Sequence, residues 1–179
     1  LSAFEVEHLE RDIAELALLH GRLASVEDSK LDEFLKVVGN IRSNEPETKI
    51  VVFTGFKATQ KYLADNLGKL GFTVSKFHGG LSLEDKERAI REFRDSSQIL
   101  ISTEAGGEGR NLQVASVLIN YDLPWNPMKV EQRIGRLDRI GQRQKVRILN
   151  LFRYETVEER VHEVLSDRIR VFEESVGSL

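Results

Sequence analysis

The stretch KIVVFTGF, residues 49–56, decides the fold that this sequence predicts. It is apolar and rich in β-branched residues, with no polar alternation, which is typical of a strand buried on both faces of a sheet. The sequence before Lys49 has a different character, because its apolar residues recur at helical spacing with acidic residues between them. A sheet-forming region is therefore expected to begin at Lys49, after flanking helices.

Further strands and helices alternate after this stretch. The expected strands are FTVSKF (72–77), QILIST (98–103), VLINYDL (117–123) and KVRILNLF (145–152). Helices are expected over 57–70 with Gly71 at the end, over 82–93, and from Asn126 onward. Such alternation is typical of an α/β fold, a three-layer sandwich in which helices cover both faces of a mostly parallel sheet. The loops that follow the strands then line one rim, where ligands bind.

The chain of 179 residues is expected to form one domain, without internal repeats or a linker. We divide it into N-terminal flanking helices that pack on the lobe (1–48), the α/β lobe (49–152) and a C-terminal helix (153–179). No apolar run is long enough to cross a bilayer and no signal peptide is recognisable, so a membrane protein is not expected. The absence of cysteine excludes disulfides and thiolate metal sites, and it is compatible with a cytoplasmic or nucleoid-associated protein.

The charge of the chain is unevenly distributed. The net charge is −3, but residues 1–48 carry 5 basic and 11 acidic side chains, whereas residues 129–147 carry 7 basic and 2 acidic ones. A protein that binds nucleic acid over its whole surface is usually basic throughout. The concentrated positive charge therefore indicates a local site that faces phosphate groups. Charge alone leaves open whether these belong to a nucleotide or to DNA.

The basic segment contains QRIGRLDRIGQ, residues 132–142, shortly after an expected helix start at Asn126 and Pro127. Residues three apart on a helix lie on nearly the same face, so Arg136 and Arg139 are expected to converge on one anionic target. The planar, permanently charged guanidinium suits phosphate oxygens. An arginine-rich, solvated helix face is the less favoured interpretation.

A glycine-rich loop, TEAGGEGRN (103–111), follows the strand at 98–103. Its glycines permit close approach of the backbone, so amide N–H groups can face a phosphate or ribose. As an isolated pattern it is equally compatible with an ordinary glycine-rich turn. Its place after a buried strand and before the arginine cluster favours a binding loop.

These motifs together resemble those of one protein family. QRIGRLDRIGQ is similar to motif VI of superfamily-two helicases, and its ending GRLDRIGQ resembles the Swi/Snf-like branch, particularly the bacterial polymerase-recycling members. The stretch from Ile101 to Pro127 is similar to motif V and its continuation, VVFTGF (51–56) to motif IV, and FHGGLS (77–82) to the motif after it. The resemblance covers about residues 28–172 and implies the second RecA-like lobe of a two-lobed translocase.

The resemblance also implies roles for particular residues. Arg136 and Arg139 would be arginine fingers that reach an ATP held by another lobe, and Gly109, Asn111 and Gln132 would approach that nucleotide. Many relatives outside this branch have aspartate at the position of Asn111. Contacts with the nucleic-acid backbone are implied for Thr54, Gly55, His78, Gly79, Ser102 and Thr103.

Three other residues have simpler interpretations. For His78, a hydrogen bond from the ring to its own loop is as good an expectation as a DNA contact. For Arg133 we favour a structural ion pair within the lobe, and for Trp125 packing over base stacking. The four histidines do not have the spacing of metal ligands, so no metal site is expected within this chain.

Two elements that ATP hydrolysis needs are missing from the sequence. A phosphate-binding loop of the form G-x-x-x-x-G-K-[ST] is absent, since Gly68-Lys69 is followed by Leu70 within an expected helix. No apolar strand ends in an acidic pair that could hold Mg²⁺. We therefore expect ATP and Mg²⁺ to be held mainly by a first lobe outside this sequence, and this chain alone to be inactive.

The resemblance implies a nucleic-acid-dependent ATPase that translocates, as members of this branch typically do on duplex DNA, and remodels a protein complex. The partners that the resemblance implies are nucleic acid, in such relatives duplex DNA, and the first lobe of the same polypeptide. The alternative is a non-catalytic module that binds nucleic acid or a protein. ATPase assays with and without DNA distinguish the two.

Overall fold

The computed structural model describes residues 3–23, 28–103, 112–138 and 145–176. Within these ranges the elements in chain order are α1 (Ala3–Leu23), α2 (Ser29–Asn44), β1 (Ile50–Thr54), α3 (Lys57–Lys69), β2 (Val74–Phe77), α4 (Leu83–Asp95), β3 (Ile99–Thr103), β4 (Val117–Asn120), α5 (Pro127–Ile134), β5 (Arg147–Asn150) and α6 (Val157–Val176). Every strand expected from the sequence is present, and the predicted α/β class is confirmed.

The five strands form one sheet in the order β2-β3-β1-β4-β5, and every neighbouring pair is parallel. The central strand β1 aligns Ile50 with Ile99 of β3 on one side and with Val117 of β4 on the other. All residues of β1, β3 and β4 are buried, as their uninterrupted apolar sequences predict. Because the strands are parallel, their carboxyl ends lie along a single rim.

Helices cover both faces of the sheet. On one face, α2 and α3 pack on a cluster that includes Phe34, Leu63 and Ile101. On the other face, α4 packs through Ala89 and Phe93 on alternate strand residues. A smaller cluster of Leu123, Val130 and Leu165 joins the rim loop, α5 and α6. Full burial of one such side chain contributes about 1.5–3 kcal/mol to the free energy of unfolding, so these contacts stabilise the packing of helices on both faces of the sheet.

Side chains and glycine fix the helix ends as the sequence predicts. Asp28 accepts a hydrogen bond from the Leu31 amide (3.1 Å), and Ser82 accepts one from the Asp85 amide (3.1 Å). After α3, Gly71 adopts a φ of +82°, a left-handed conformation that side chains disfavour.

The two N-terminal helices differ in their packing. Four residues of α2 are buried in the core of the lobe: Leu31, Phe34, Val38 and Ile41. In α1, by contrast, apolar side chains are exposed: Val6, Leu9, Ile13, Leu16, Leu18 and Leu19. The division at residues 48 and 152 stays a prediction. Among the described residues, no helix is long and apolar enough to cross a membrane.

Candidate functional site

A cleft of about 600 Å³ opens at the carboxyl ends of β1, β2 and β3, beside α5. We call it the rim cleft. Its lining includes five of the residues predicted as site residues: Gly55, Gly79, Thr103, Gln132 and Arg136. The ionisable side chains among its described lining residues are all basic: Lys57, Lys129, Arg133 and Arg136. An anion is therefore the ligand that this lining suits.

Arg136 lies in the rim cleft, but it does not lie on a helix. The helix α5 begins with an Asn126 cap, whose side chain accepts from the Met128 amide (3.0 Å), and it ends at Ile134. Beyond Gly135 two hydrogen bonds span only three residues, from the Arg136 amide to the Arg133 carbonyl (3.2 Å) and from the Leu137 amide to the Ile134 carbonyl (2.9 Å). The Asp138 amide donates to the same Ile134 carbonyl (2.9 Å). Arg136 therefore lies beyond the end of the helix on which it was expected, since glycine weakens helix continuation. The expectation that Arg136 and Arg139 converge on one anion stays a prediction, because Arg139 lies outside the described residues.

The turn after α5 is held in place by a buried side chain and a backbone hydrogen bond. Leu137 is fully buried in the cluster beneath α4, and the Arg136 carbonyl accepts from the Leu112 amide (3.0 Å). These contacts fix the backbone on both sides of the guanidinium. Arg139, Gly109 and Asn111 lie outside the described residues, so their roles stay predictions.

Arg133 is buried, with 4% of its surface exposed. Its Nη1 donates to Asn120 Oδ1 (2.6 Å) and to the Asp122 carbonyl (3.1 Å), and its guanidinium lies 5.0 Å from the centre of the Phe53 ring. These contacts tie α5 to β4 and β1. They agree with the structural interpretation of Arg133, although the acceptors of these two bonds are neutral oxygens rather than a carboxylate.

Thr54 and Gly55, at the end of β1, both bind the carboxylate of Asp122. The Thr54 hydroxyl is buried and donates to Asp122 Oδ2, and the Gly55 amide donates to the same oxygen (3.1 Å). Sequence reasoning missed Asp122. Its position two residues after a buried strand, on the same rim, was the signal that could have identified it. The predicted nucleic-acid contacts of Thr54 and Gly55 stay predictions, and in this structure their donors bind Asp122.

The ends of β3 and β2 complete the rim. Ser102 and Thr103 are buried, with the Ser102 hydroxyl donating to the Thr103 carbonyl (3.1 Å), and Thr103 lines the rim cleft. Gly79 lines it too, whereas Gln132 approaches it from α5. Ser102 is fully buried and Thr103 is 5% exposed, and direct phosphate contacts of both residues stay predictions.

His78 lies beside this lining, next to Gly80. A Cβ built at Gly80 would stand 2.5 Å from Lys57 Nζ and 3.5 Å from His78 Nδ1, so the missing side chain leaves room for Lys57 across the loop. Nδ1 of His78 is buried without a hydrogen-bond partner among the described residues, so the expected bond to its own loop is not formed through this atom. Burial, and then the positive charges of Lys57, Lys76 and Lys86, hold the pKa of His78 below its ordinary value.

Comparison with known proteins agrees with this fold and identifies the family of the chain. Residues 29–141 match the helicase conserved C-terminal domain, and the chain belongs to this family. The predicted resemblance to the Swi/Snf-like branch of superfamily two is confirmed.

Three curated relatives show the range of similarity. The chain is 47% identical over 133 residues to the uncharacterized ATP-dependent helicase YqhH of Bacillus subtilis. This match covers 74% of this chain and 24% of the relative. It is 43% identical over 106 residues to the RNA polymerase-associated protein RapA of Sodalis glossinidius, a match that covers 57% of this chain and 11% of the relative. It is 34% identical over 148 residues to the DNA repair protein RAD5B of Arabidopsis thaliana, a match that covers 81% of this chain and 12% of the relative. The chain thus spans about a quarter or less of these relatives.

Solved structures share the fold. The C-terminal part of the Fun30 ATPase domain matches with a TM-score of 0.70 and 24% identity, covering 92% of this chain and 55% of that one. The C-terminal domain of the DEAD-box protein Dbp5 matches with a TM-score of 0.66 and 25% identity, covering 80% and 79%. The lobe is therefore RecA-like, as the sequence predicts.

Proposed function

We propose that this chain is the second motor lobe of a nucleic-acid-dependent ATPase that translocates on DNA. The observation that supports this most is the position of Arg136. Its backbone is fixed by buried Leu137 and by the Leu112 amide, and its side chain lines a cleft whose described charges are all positive. Such a fixed guanidinium can stabilise the negative charge that develops during phosphoryl transfer.

The residues of the rim cleft fit the phosphates of ATP but not its metal ion. Lys129, Gln132 and Arg136 lie together on the wall that α5 and its following turn form, and they offer cationic and amide donors. In residues 3–23, 28–103, 112–138 and 145–176, no group of three or more His, Asp or Glu side chains could hold a metal ion. We assign ATP binding in part to this wall, and Mg²⁺ to a first lobe. ATP supplies the phosphoryl group whose hydrolysis drives the motor.

The opposite wall of the rim cleft supports a nucleic-acid track. Gly55, Lys57 and Gly79 line it from the ends of β1 and β2 and from the first turn of α3. The Lys57 side chain and a backbone amide such as that of Gly79 can bind phosphate without reading base sequence, which suits movement along a duplex. The Gly55 amide is bound to Asp122 in this structure. A protein of this kind would work in the cytoplasm or on the nucleoid, and the association of RapA with RNA polymerase suggests a protein complex as its remodelled target.

Replacement of Arg136 by alanine tests the proposal in a polypeptide that contains both lobes. We expect DNA-stimulated ATP hydrolysis to fall by about 10³-fold or more, because the charge on the transferred phosphoryl group loses its stabilisation. Binding of a non-hydrolysable ATP analogue should change little, since the first lobe holds most of the nucleotide.

Arg94→Ala is the matched control. Arg94 is exposed and lies in the last turn of α4, at the end of the sheet remote from the rim cleft. Its replacement removes the same charge and should leave hydrolysis unchanged. Turnover of the Arg136→Ala protein within a few-fold of wild type is the result that contradicts the arginine-finger assignment.

A second candidate is a non-catalytic module that binds a protein partner. The exposed apolar side chains of α1, among them Leu9, Ile13 and Leu16, favour it because such residues are usually covered by a partner. Absence of ATP hydrolysis in the two-lobed polypeptide, with and without DNA, would support this candidate over the motor.

A further inference from the structure

Lys30 forms the centre of a charged cluster that joins α2, α6 and the segment after β4. Its Nζ donates to both carboxylate oxygens of Glu158, at 2.8 and 2.9 Å, and lies 3.9 Å from Asp122 Oδ1. It also lies 5.2 Å from the centre of the Tyr121 ring. The Lys30 side chain is only 13% exposed, and those of Asp122 and Glu158 are 26% and 29% exposed. Partial burial weakens solvent screening, so these charges interact more strongly than an ordinary surface pair.

Asp122 divides its two carboxylate oxygens between different elements. Oδ2 accepts from the Thr54 hydroxyl and from the Gly55 amide (3.1 Å), at the end of β1. Oδ1 faces Lys30, in the first turn of α2. The rotation of one carboxylate therefore depends on contacts at both ends, and Gly55 is itself part of the rim cleft lining.

Lys30 is not placed there for the stability of its own helix. A cation in the first turn opposes the helix dipole, which favours negative charge at that end. Glu158, in contrast, is in the first turn of α6, where its charge is favourable. The two carboxylates that surround Lys30 offset the unfavourable placement, so the lysine acts chiefly to connect α2, α6 and the rim.

We propose that Asp122 is a positioning residue of the rim cleft, and that Lys30 and Glu158 make its position depend on α2 and α6. A displacement of either helix changes the position of Nζ, then of the Asp122 carboxylate, and then of the Gly55 amide. Lys57 follows two residues later and lies in the same lining. Contacts made by the flanking helices thereby adjust the nucleic-acid wall of the cleft. The consequence for DNA rests on the proposed function, whereas the link between Lys30 and Gly55 does not.

The test uses the 179-residue chain with Lys30→Met, Asp122→Asn and the combination of the two. The amide resonance of Gly55, observed by ¹H–¹⁵N NMR, reports the hydrogen bond to Asp122 directly. We expect Lys30→Met to shift this resonance and to weaken binding of a short duplex DNA by about threefold to tenfold. Lys30→Arg should restore both properties, because it restores the cation. The double variant should bind no more weakly than the weaker single variant, since both changes break the same chain of contacts.

Lys36→Met is the matched control, because Lys36 lies on the same helix in an exposed pair with Glu33. It removes the same charge and should leave the Gly55 resonance in place. Thermal unfolding checks that each variant is folded, and Glu158→Gln replaces Lys30→Met if the latter is not. An unmoved Gly55 resonance in the folded variant overturns the proposal, as does an additive loss in the double variant. If wild-type chain binds no DNA while the resonance still shifts, the proposed function fails and the positioning link stands.

Discussion

At the scale of single residues, the contacts of the buried Arg133 side chain are expected to contribute measurably to stability. Its guanidinium donates to Asn120 and to the Asp122 carbonyl while it lies over the Phe53 ring. Lysine has no planar group that can stack and donate in the same way, so Arg133→Lys leaves a buried acceptor poorly satisfied. We expect the free energy of unfolding to fall by about 1–3 kcal/mol, measured by urea denaturation.

Arg94→Lys serves as the comparison for this change, since Arg94 is exposed and pairs with its neighbour Asp95. We expect it to alter the free energy of unfolding by less than about 0.5 kcal/mol. Equal urea midpoints for Arg133→Lys and Arg94→Lys would show that the buried contacts contribute little.

Residue roles were only partly predictable from the sequence. Charge and spacing predicted that Arg136 faces an anion, and in the structure Arg136 lines the basic rim cleft, whereas its binding of an anion stays a prediction. The engagement of Thr54 and Gly55 by Asp122 was not predictable, because it joins residues 67 or more positions apart through the sheet order. The same holds for Lys30 and Glu158, which are 128 positions apart. A carboxylate at a strand end indicates a possible contact but not its partner.

At the scale of elements, two glycines at the end of α3 are expected to have opposite effects on stability. Gly71 follows the helix with a φ of +82°, whereas Gly68 lies within the last turn of the helix, and neither has an atom within 4 Å of a Cβ built on it. Gly71→Ala should destabilise the chain by about 1 kcal/mol, because alanine disfavours the left-handed conformation. Gly68→Ala should stabilise it by about 0.4–1 kcal/mol, because alanine loses less backbone entropy.

Each substitution serves as the control for the other, since both add one methyl group in open space near the end of α3. Thermal or urea unfolding of the two variants should give midpoints on opposite sides of wild type. A fall of similar size in both would mean that crowding, rather than backbone conformation, determines the effect.

Helices and strands were predictable where one local signal governed them. Apolar runs identified β1, β3 and β4, and the expected helix starts at residues 82 and 126 agree with the starts of α4 and α5. The helix over motif VI was predicted too long, because arginines at spacings of three suggested a continuous face. In the structure Gly135 and the burial of Leu137 favour turns there instead.

At the scale of the whole molecule, the proposal that two lobes form the ATPase site together predicts how this chain behaves alone. The 179-residue chain alone should hydrolyse no ATP, and it should bind duplex DNA weakly, with an affinity that falls steeply as salt rises. Lys57→Ala should reduce the slope of log affinity against log salt by about one unit, because Lys57 lies on the proposed nucleic-acid wall of the rim cleft. Fluorescence anisotropy at several salt concentrations measures this slope.

Lys69→Ala is the control, since Lys69 is the last residue of α3, at the end of the sheet away from the rim cleft. Its removal changes the net charge equally. A slope that falls by the same amount in both variants would indicate diffuse attraction rather than a phosphate site in the cleft.

The order of strands in the sheet has a consequence for how the chain emerges from the ribosome. β1 pairs with β3 and β4, and β2 pairs with β3, so neither of the first two strands has its neighbour when it is made. A nascent chain that ends before Ile99 therefore holds apolar segments with unsatisfied edges, a state prone to self-association. Synthesis of β3 supplies partners for both strands at once. Pausing of translation just before that point would prolong the vulnerable interval, whereas rapid passage through it would shorten the need for a chaperone.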